Sequence, residues 1–469
     1  MFRLIVLLLI LVILILILVL SKLQNKMEKQ PAKESYFFSN SFSDLKEVRK
    51  LIKEKNKESC EKRIFITRFL VLVIGGAITF VTSFLHNIIF LTFYLLVYVS
   101  FIIVFLTDKV FNTINKISTA CPNPECQASF MLPIYECTCG RKHTKLVPGK
   151  YGIFQRTCNC GRKIPTSFIN GRGKLKAYCP VCKLELKGDT MNRQYAIPIV
   201  GGPSVGKTCY INTAVYQLIN NVAPKFGWKV AFIDRQNEID YEMVINGMKK
   251  GYKPAKTDLN HLTAYQLSVK LSKNDIIRRL YIYDIMGEAF MSADTLKINK
   301  AFSYSNGFVF MIDPLSIADF ALELADGNEL TDNGVSQEDF NDIFEGLING
   351  LISLSGLKNS GVLDIYLAVV INKCDIRKLD LMLGTNAIEQ YRSSHAGCNR
   401  LAAQNEVCKQ FLRKYNSGSF VSLVEKKFRN VQYFTCSSYV NNDGNQLGMN
   451  VEAPLLWILS MCDRRWESI

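Results

Sequence analysis

The chain has 469 residues, of which 48% are hydrophobic, and a formal net charge of +16. Residues 1–190 hold 28 Lys and Arg against 12 Asp and Glu, while residues 191–469 hold 29 against 29. The whole positive excess therefore sits in the first part of the chain, which excludes an evenly basic molecule and separates a basic N-terminal part from a balanced C-terminal one.

Residues 4–20 are an unbroken run of Leu, Ile and Val. With its flanks this run is long enough to cross a bilayer at about 1.5 Å per residue. No small-residue cleavage site follows it, so residues 1–22 are expected to be an uncleaved transmembrane anchor rather than a signal peptide. A basic loop follows over residues 23–63, within which residues 44–62 mix apolar and charged side chains, as a short amphipathic helix on lipid or a solvated connector would. Two further apolar runs, residues 64–85 and 88–106, flank His86-Asn87 and predict a transmembrane helical hairpin over residues 64–107. Lys and Arg concentrate in the 23–63 loop and after residue 106, so the positive-inside rule places both in the cytosol and the N-terminus outside. The expectation is a multi-pass membrane protein, in contact with lipid, whose remaining domains are cytoplasmic.

Eight of the 15 cysteines fall in residues 118–190, as Cys121-x4-Cys126, Cys137-x-Cys139, Cys158-x-Cys160 and Cys179-x2-Cys182. Short-spaced pairs beside glycine or proline are the pattern of tetrahedral thiolate zinc sites, and two zinc ribbons are expected here. The simplest pairing is sequential, with one zinc on Cys121, Cys126, Cys137 and Cys139 and another on Cys158, Cys160, Cys179 and Cys182. Interleaved pairing, or His143 in place of one cysteine, stays open. Arg141, Lys142, Lys145, Arg156, Arg162, Lys163, Arg172, Lys174 and Lys176 interleave with the ligands. They suit nucleic acid or an anionic membrane surface, although few aromatic platforms and no recognition helix support nucleic acid. Cys60, Cys209, Cys374, Cys398, Cys408, Cys436 and Cys462 lack partner spacing and read as ordinary thiols.

Residues 193–469 begin with the apolar strand-like run 196–200, then Gly201-Gly202-Pro203-Ser204-Val205-Gly206-Lys207-Thr208, then a helix-like stretch over 208–220 that opens through Cys209. This G-x-x-x-x-G-K-[ST] pattern, between a strand and a helix, is a phosphate cradle: backbone N–H groups face the phosphates, Lys207 reaches them and the Thr208 hydroxyl takes a Mg²⁺ position. A hairpin-like pair, residues 264–271 and 277–284, ends in Asp284-Ile285-Met286-Gly287-Glu288. Asp284 at the strand end suits Mg²⁺, and the Gly287 N–H suits sensing of a γ-phosphate. Thr257 is the first candidate for the threonine that closes over Mg²⁺, with Thr263 second. After the apolar run 365–371 comes Asn372-Lys373-Cys374-Asp375. The Asp375 carboxylate can accept from the ring N–H and exocyclic amine of guanine, a donor pair adenine lacks. Lys373 would lie along the base, and Asn372 would tie this loop to the phosphate loop. A last strand, 431–434, leads into Thr435-Cys436-Ser437-Ser438, where a backbone N–H near Ser437 would meet the guanine carbonyl.

With these motifs in this order the chain resembles the Ras-like P-loop GTPase superfamily. More narrowly, GGPSVGKTCYINT, YDIMGE, GFVFMIDP and FTCSS followed by VEAPLLWIL resemble the bacterial double-GTPase family with N-terminal zinc ribbons. The resemblance covers about residues 150–462. It implies an α/β domain with a mostly parallel sheet and flanking helices, GTP and Mg²⁺ at the strand C-terminal ends, and catalytic roles for Lys207, Thr208, Asp284, Gly287, Glu288 and Thr257. A GTP-binding domain belongs in a reducing compartment, which argues against disulfides among the eight cysteines. Ras-like enzymes carry a water-orienting glutamine at the place of Glu288; a carboxylate there faces repulsion from a γ-phosphate, so slow intrinsic hydrolysis is expected. The reading is a membrane-anchored GTPase switch with an unidentified protein effector. The alternatives are a non-hydrolysing GTP-binding scaffold that self-associates at the membrane and a tethered nucleic-acid sensor. Residues 387–415 and 325–337 lie between motifs and read as insertions.

Overall fold

In the computed structural model the described residues are 30–36, scattered positions from 43 to 57, and 69–466 apart from 124–125, 191, 253, 255–262, 274, 286–301, 303, 327–338, 356–360 and 439–446. They divide into two compact units, one of residues 1–117, 132–180 and 189–191 and one of residues 118–131, 181–188 and 192–469.

In the first unit a single helix spans Gly76–Ile114, entered through a wider turn at Val71–Gly75. Residues Leu72–Ile114 form one helix long and apolar enough to cross a membrane. The hairpin expected over residues 64–107 is not what forms: the backbone runs straight through His86 and Asn87. Neither residue breaks a helix as glycine or proline would, and the Asn87 side chain donates from Nδ2 to the Ser83 oxygen at 2.7 Å, within the helix. At 1.5 Å per residue its 39 residues extend roughly 58 Å, about twice a bilayer core. Phe90, Tyr94, Tyr98, Phe101 and Phe105 recur at helical spacing and make a ring-on-ring stripe, with Tyr94 and Tyr98 centroids 4.8 Å apart. Toward the C-terminal end Asp108 is buried and paired with Arg172 at 3.1 Å, while it also accepts the Phe168 N–H at 2.9 Å. Phe111 stacks on Phe168 with centroids 3.7 Å apart. The expected anchor at residues 4–20 and most of the 23–63 loop lie outside the described residues. Of that loop, Ala32–Lys33 form a strand antiparallel to Gln155–Cys158, held further by Glu34 to Lys150 at 2.7 Å.

The second unit is built on a seven-stranded sheet. Its strands are β1 (Asn192–Gly201), β2 (Lys229–Phe232), β3 (Thr263–Lys270), β4 (Ile277–Asp284), β5 (Gly307–Ile312), β6 (Leu363–Ile371) and β7 (Phe428–Thr435). They lie in the order β2-β3-β4-β1-β5-β6-β7. The run β4-β1-β5-β6-β7 is parallel, and β3 is antiparallel to both β2 and β4. The α/β class and the 264–284 hairpin are as the sequence implies. β1, β4 and β5 are buried nearly throughout, as strands covered by helices on both faces must be, and their residues read as continuous apolar runs. One face packs into a core with Phe310, Phe344, Phe411 and Phe420, the other into a core with Tyr210, Trp228, Phe434 and Trp466. The 387–415 insertion belongs to the first core: Ile388, Ala403, Val407, Phe411 and Leu412 are buried there, so it thickens the domain rather than projecting from it. Of the 325–337 insertion, all but its first two residues lie outside the described residues. Because β1 has β4 on one side and β5 on the other, connections leave it in opposite directions and a crevice opens at its C-terminal end.

Candidate functional site

Residues 201–206 leave the C-terminal end of β1 and enter the helix Lys207–Gln217. The loop's shape requires its small residues. Gly206 has φ +93° and a Cβ there would sit 2.7 Å from the Asn372 Nδ2, while a Cβ on Gly201 would meet the Met311 oxygen at 2.7 Å. Ser204 takes a left-handed φ of +63°, and Val205 is buried beneath the loop. Lys207 is buried and donates from Nζ to the backbone oxygens of Gly201 and Gly202, both at 2.8 Å, which holds its ammonium over the loop. The Thr208 hydroxyl donates to Asp284 Oδ2 at 2.9 Å. A hydroxyl and a carboxylate converging beside a helix N-terminus are the donor set that holds Mg²⁺ with phosphate oxygens, so these two residues fit that ion. Cys209 is half-buried against the second core.

On the other side of the crevice Asn372 directly follows β6. Its N–H donates to the Ile312 oxygen at 3.1 Å, and its side chain joins two loops. Nδ2 donates to the Val205 oxygen at 2.8 Å, and Oδ1 accepts from the Ser438 hydroxyl at 2.8 Å and the Ser438 N–H at 3.0 Å. The expected tie between Asn372 and the phosphate loop is therefore present. Lys373 takes a left-handed φ of +59° and pairs through Nζ with Asp313 Oδ2 at 2.7 Å. The Ser437 hydroxyl donates to Asp375 Oδ1, which fixes the carboxylate. Burial pushes the Cys374 and Cys436 thiols up, so both stay protonated packing groups in this loop; Cys436 Sγ adds a 3.5 Å contact to Asn372 Oδ1.

The Ser437 N–H donates to the Met449 oxygen at 3.1 Å and the Ser438 N–H to Asn372 Oδ1 at 3.0 Å, while residues 439–446 lie outside the described residues. The return pairing of Ser437 with Met449 joins positions twelve residues apart across a loop that no motif announces. Thr257, Gly287 and Glu288 lie outside the described residues. Thr263 stands opposite Asp284 in the β3–β4 register. Asp313, within the GFVFMIDP run but given no role there, stands one position after β5, buried, accepting Leu315 N–H on Oδ1 at 3.0 Å and Lys373 on Oδ2.

One asparagine that joins a base-side loop to a phosphate loop, across the switch point of a parallel sheet, is the organisation of a P-loop GTPase domain. The chain belongs to the Double-GTPase 2 family, whose model matches residues 195–443. The match begins inside β1 and leaves out the cysteine-rich region, the long helix and the C-terminal helix Ala453–Cys462, a narrower extent than the sequence resemblance implied. No curated protein matches the chain.

The eight cysteines form two groups, Cys121, Cys126, Cys179, Cys182 and Cys137, Cys139, Cys158, Cys160, with the sulfurs of each group within 4.8 Å of one another. The pairing is nested, not sequential. Ile134–Glu136 pairs antiparallel with Ala177–Tyr178, which draws the last knuckle back to the start of the region and leaves the two middle knuckles facing each other. Those two knuckles are built alike. Cys137 N–H donates to the Arg141 oxygen and Gly140 N–H to the Cys137 oxygen, as Cys158 N–H does to Arg162 and Gly161 N–H to Cys158. Thiolates about 2.3 Å from a tetrahedral zinc stand roughly 3.8 Å apart. Here Cys137 Sγ is 3.8 Å from Cys160 Sγ, Cys139 Sγ is 3.7 Å from Cys158 Sγ, and Cys121 Sγ is 3.4 Å from Cys182 Sγ. Both groups can hold a metal such as zinc. His143 is buried outside them, and burial together with the nearby Arg156 and Arg141 pushes its imidazole down to about 4.

Proposed function

We propose that the protein is a membrane-anchored GTPase that alternates between GTP- and GDP-bound forms, with its cysteine-rich region folded around two zinc ions. The observation that carries this reading is the Asn372 side chain, bonded to Val205 on the phosphate side and Ser438 on the base side. Asp375 reads guanine, Lys373 lines the base, and Lys207 and the loop amides hold the phosphates. Thr208 and Asp284 would hold Mg²⁺, with Thr257 as the closing threonine, and the ion would supply charge neutralisation at the phosphates. In hydrolysis a water oxygen bonds to the γ-phosphorus as the bond to the bridging oxygen breaks, giving GDP and phosphate. Gly287 senses the γ-phosphate, and Glu288, in place of a water-orienting amide, makes the unassisted rate low. That same carboxylate favours the second reading, a scaffold that binds GTP and assembles with an effector or a second copy without turnover.

For placement, residues 4–20 serve as anchor and the ribbons and GTPase domain are cytosolic. Ala32–Lys33 precede the apolar helix and pair with Gln155–Cys158 after it, which supports one face of the bilayer for both. The charged residues 44–63 between them are unsuited to a crossing, and the long apolar helix is read as embedded in the bilayer.

The test is full-length protein in detergent, titrated with GTP and ATP while phosphate release is followed. GTP binding at least about tenfold tighter than ATP, lost selectively in Asp375→Asn and for both nucleotides in Lys207→Ala, supports the reading. Equal effects of Asp375→Asn on the two nucleotides remove the guanine assignment. Tight GTP binding without phosphate release, unchanged in Glu288→Gln, favours the scaffold.

A further inference from the structure

We infer that Asp313 is a positioning residue for guanine recognition, acting through Lys373; the inference rests on the guanine reading of the 372–375 loop and names a residue outside its motif. Lys373 presents a problem that its own loop does not solve. A lysine has four rotatable side-chain bonds and loses about 2 kcal/mol of rotamer freedom when fixed. To lie along a base its stem must be held in one direction. Its backbone is already in the left-handed region at φ +59°, where few side-chain directions are open to a non-glycine residue.

Asp313 supplies the direction. It follows β5, whose last residue Ile312 pairs with Ile371 and accepts the Asn372 N–H, so the two strand ends are locked side by side and Asp313 lies within reach of the Lys373 side chain. The Asp313 carboxylate is then fixed twice. Oδ1 caps the short turn Pro314–Ser316 by accepting Leu315 N–H at 3.0 Å, and Oδ2 accepts from Lys373 Nζ at 2.7 Å. The Asp313 side chain is 1% exposed and the Lys373 side chain 16%. An ion pair so withdrawn from water gains little stability over an apolar pair, since desolvation offsets the attraction. What it does give is geometry: a charge fixed by a backbone cap aims the ammonium and straightens the stem toward the crevice. Asp313 itself faces Lys373 and the turn, so it acts on the base only through that stem.

The experiment uses the full-length protein and reads GTP, GDP and ITP affinity for wild type, Asp313→Asn, Lys373→Met and the double variant, with ATP titrated against wild type. Asparagine keeps the Leu315 cap and removes the charge. Methionine keeps an apolar stem and removes the ammonium. Asp313→Asn is expected to weaken all three ligands by about tenfold, ITP as much as GTP, because the exocyclic amine that distinguishes them is read by Asp375. In the Lys373→Met background Asp313→Asn is expected to have no further effect, since the two act as one unit. Additive losses, or an unchanged affinity in Asp313→Asn, would overturn the inference. A wild type that fails to prefer GTP over ATP would overturn the guanine reading instead, and the two failures are read from different samples.

Discussion

The Asn372 side-chain amide donates to the Val205 backbone oxygen at 2.8 Å, across 167 positions of chain. Its other end accepts twice from Ser438, so one buried amide holds three segments together. A Cβ on Gly206 would sit 2.7 Å from the same Nδ2, which shows how closely the loop is drawn in. Asn372→Ala is therefore expected to act on both halves of the site. It leaves the Val205 oxygen and the Ser438 N–H unpaired, at about 1–3 kcal/mol each when buried. The outcome expected in a fluorescent-nucleotide titration is a loss of roughly a hundredfold for GTP and GDP together. A loss confined to the base, visible as relaxed GTP-over-ATP preference with unchanged phosphate affinity, would mean the Val205 bond does not transmit.

How much of this was legible in the sequence depends on the range of the contacts involved. The phosphate loop, the β3–β4 hairpin and the 372–375 loop follow from local rules: a strand, a fixed spacing of glycines, then a helix or turn. Asp313 stands in the GFVFMIDP run, yet nothing local gives it a role, because its partner is 60 residues away and the β5–β6 pairing brings them together. The Ser437–Met449 pairing spans only twelve positions, but no glycine spacing or turn motif marks it. The long helix was misread differently. Two apolar runs of span length around a His-Asn pair suggested a hairpin by length alone, although nothing in those two residues breaks a helix.

The nested cysteine arrangement makes a prediction that sequential pairing reverses. Cys137 and Cys158 share one group, while Cys121 and Cys137 belong to different groups. Zinc measured by emission spectroscopy on purified protein is expected at about two ions per chain in wild type and about one in the double variant Cys137→Ser/Cys158→Ser. Cys121→Ser/Cys137→Ser is expected to lose both. Sequential pairing would give two ions lost in the first double variant and one in the second. Chelation of wild type is expected to unfold the 132–180 region, since a segment this short with few apolar side chains draws its stability from metal.

At the opposite end of the sheet from the crevice, Asp463 gathers a buried cluster. Its Oδ2 accepts from Arg193 at 2.9 Å, Tyr195 at 2.9 Å and Arg278 at 3.4 Å, and its Oδ1 from Arg465 at 3.1 Å. Burial alone would raise this carboxyl, yet hydrogen bonds from Arg465 and Tyr195 and the charge of Arg193 outweigh it and hold the group down to about 2. A carboxyl depressed in the folded state stabilises that state above its unfolded value near 3.9 and ceases to do so as pH falls through the folded value. The cluster's contribution is thus whole at neutral pH and is lost between about pH 4 and 2. Asp463→Asn is expected to melt well below wild type at pH 7, because it leaves Arg193 and Arg278 buried with less countercharge, as breaking a buried pair does. The gap between the two proteins should narrow as the melt is repeated at pH 4, 3 and 2.5. A gap that stays constant across that window would show that the carboxylate's charge is not what the two arginines require.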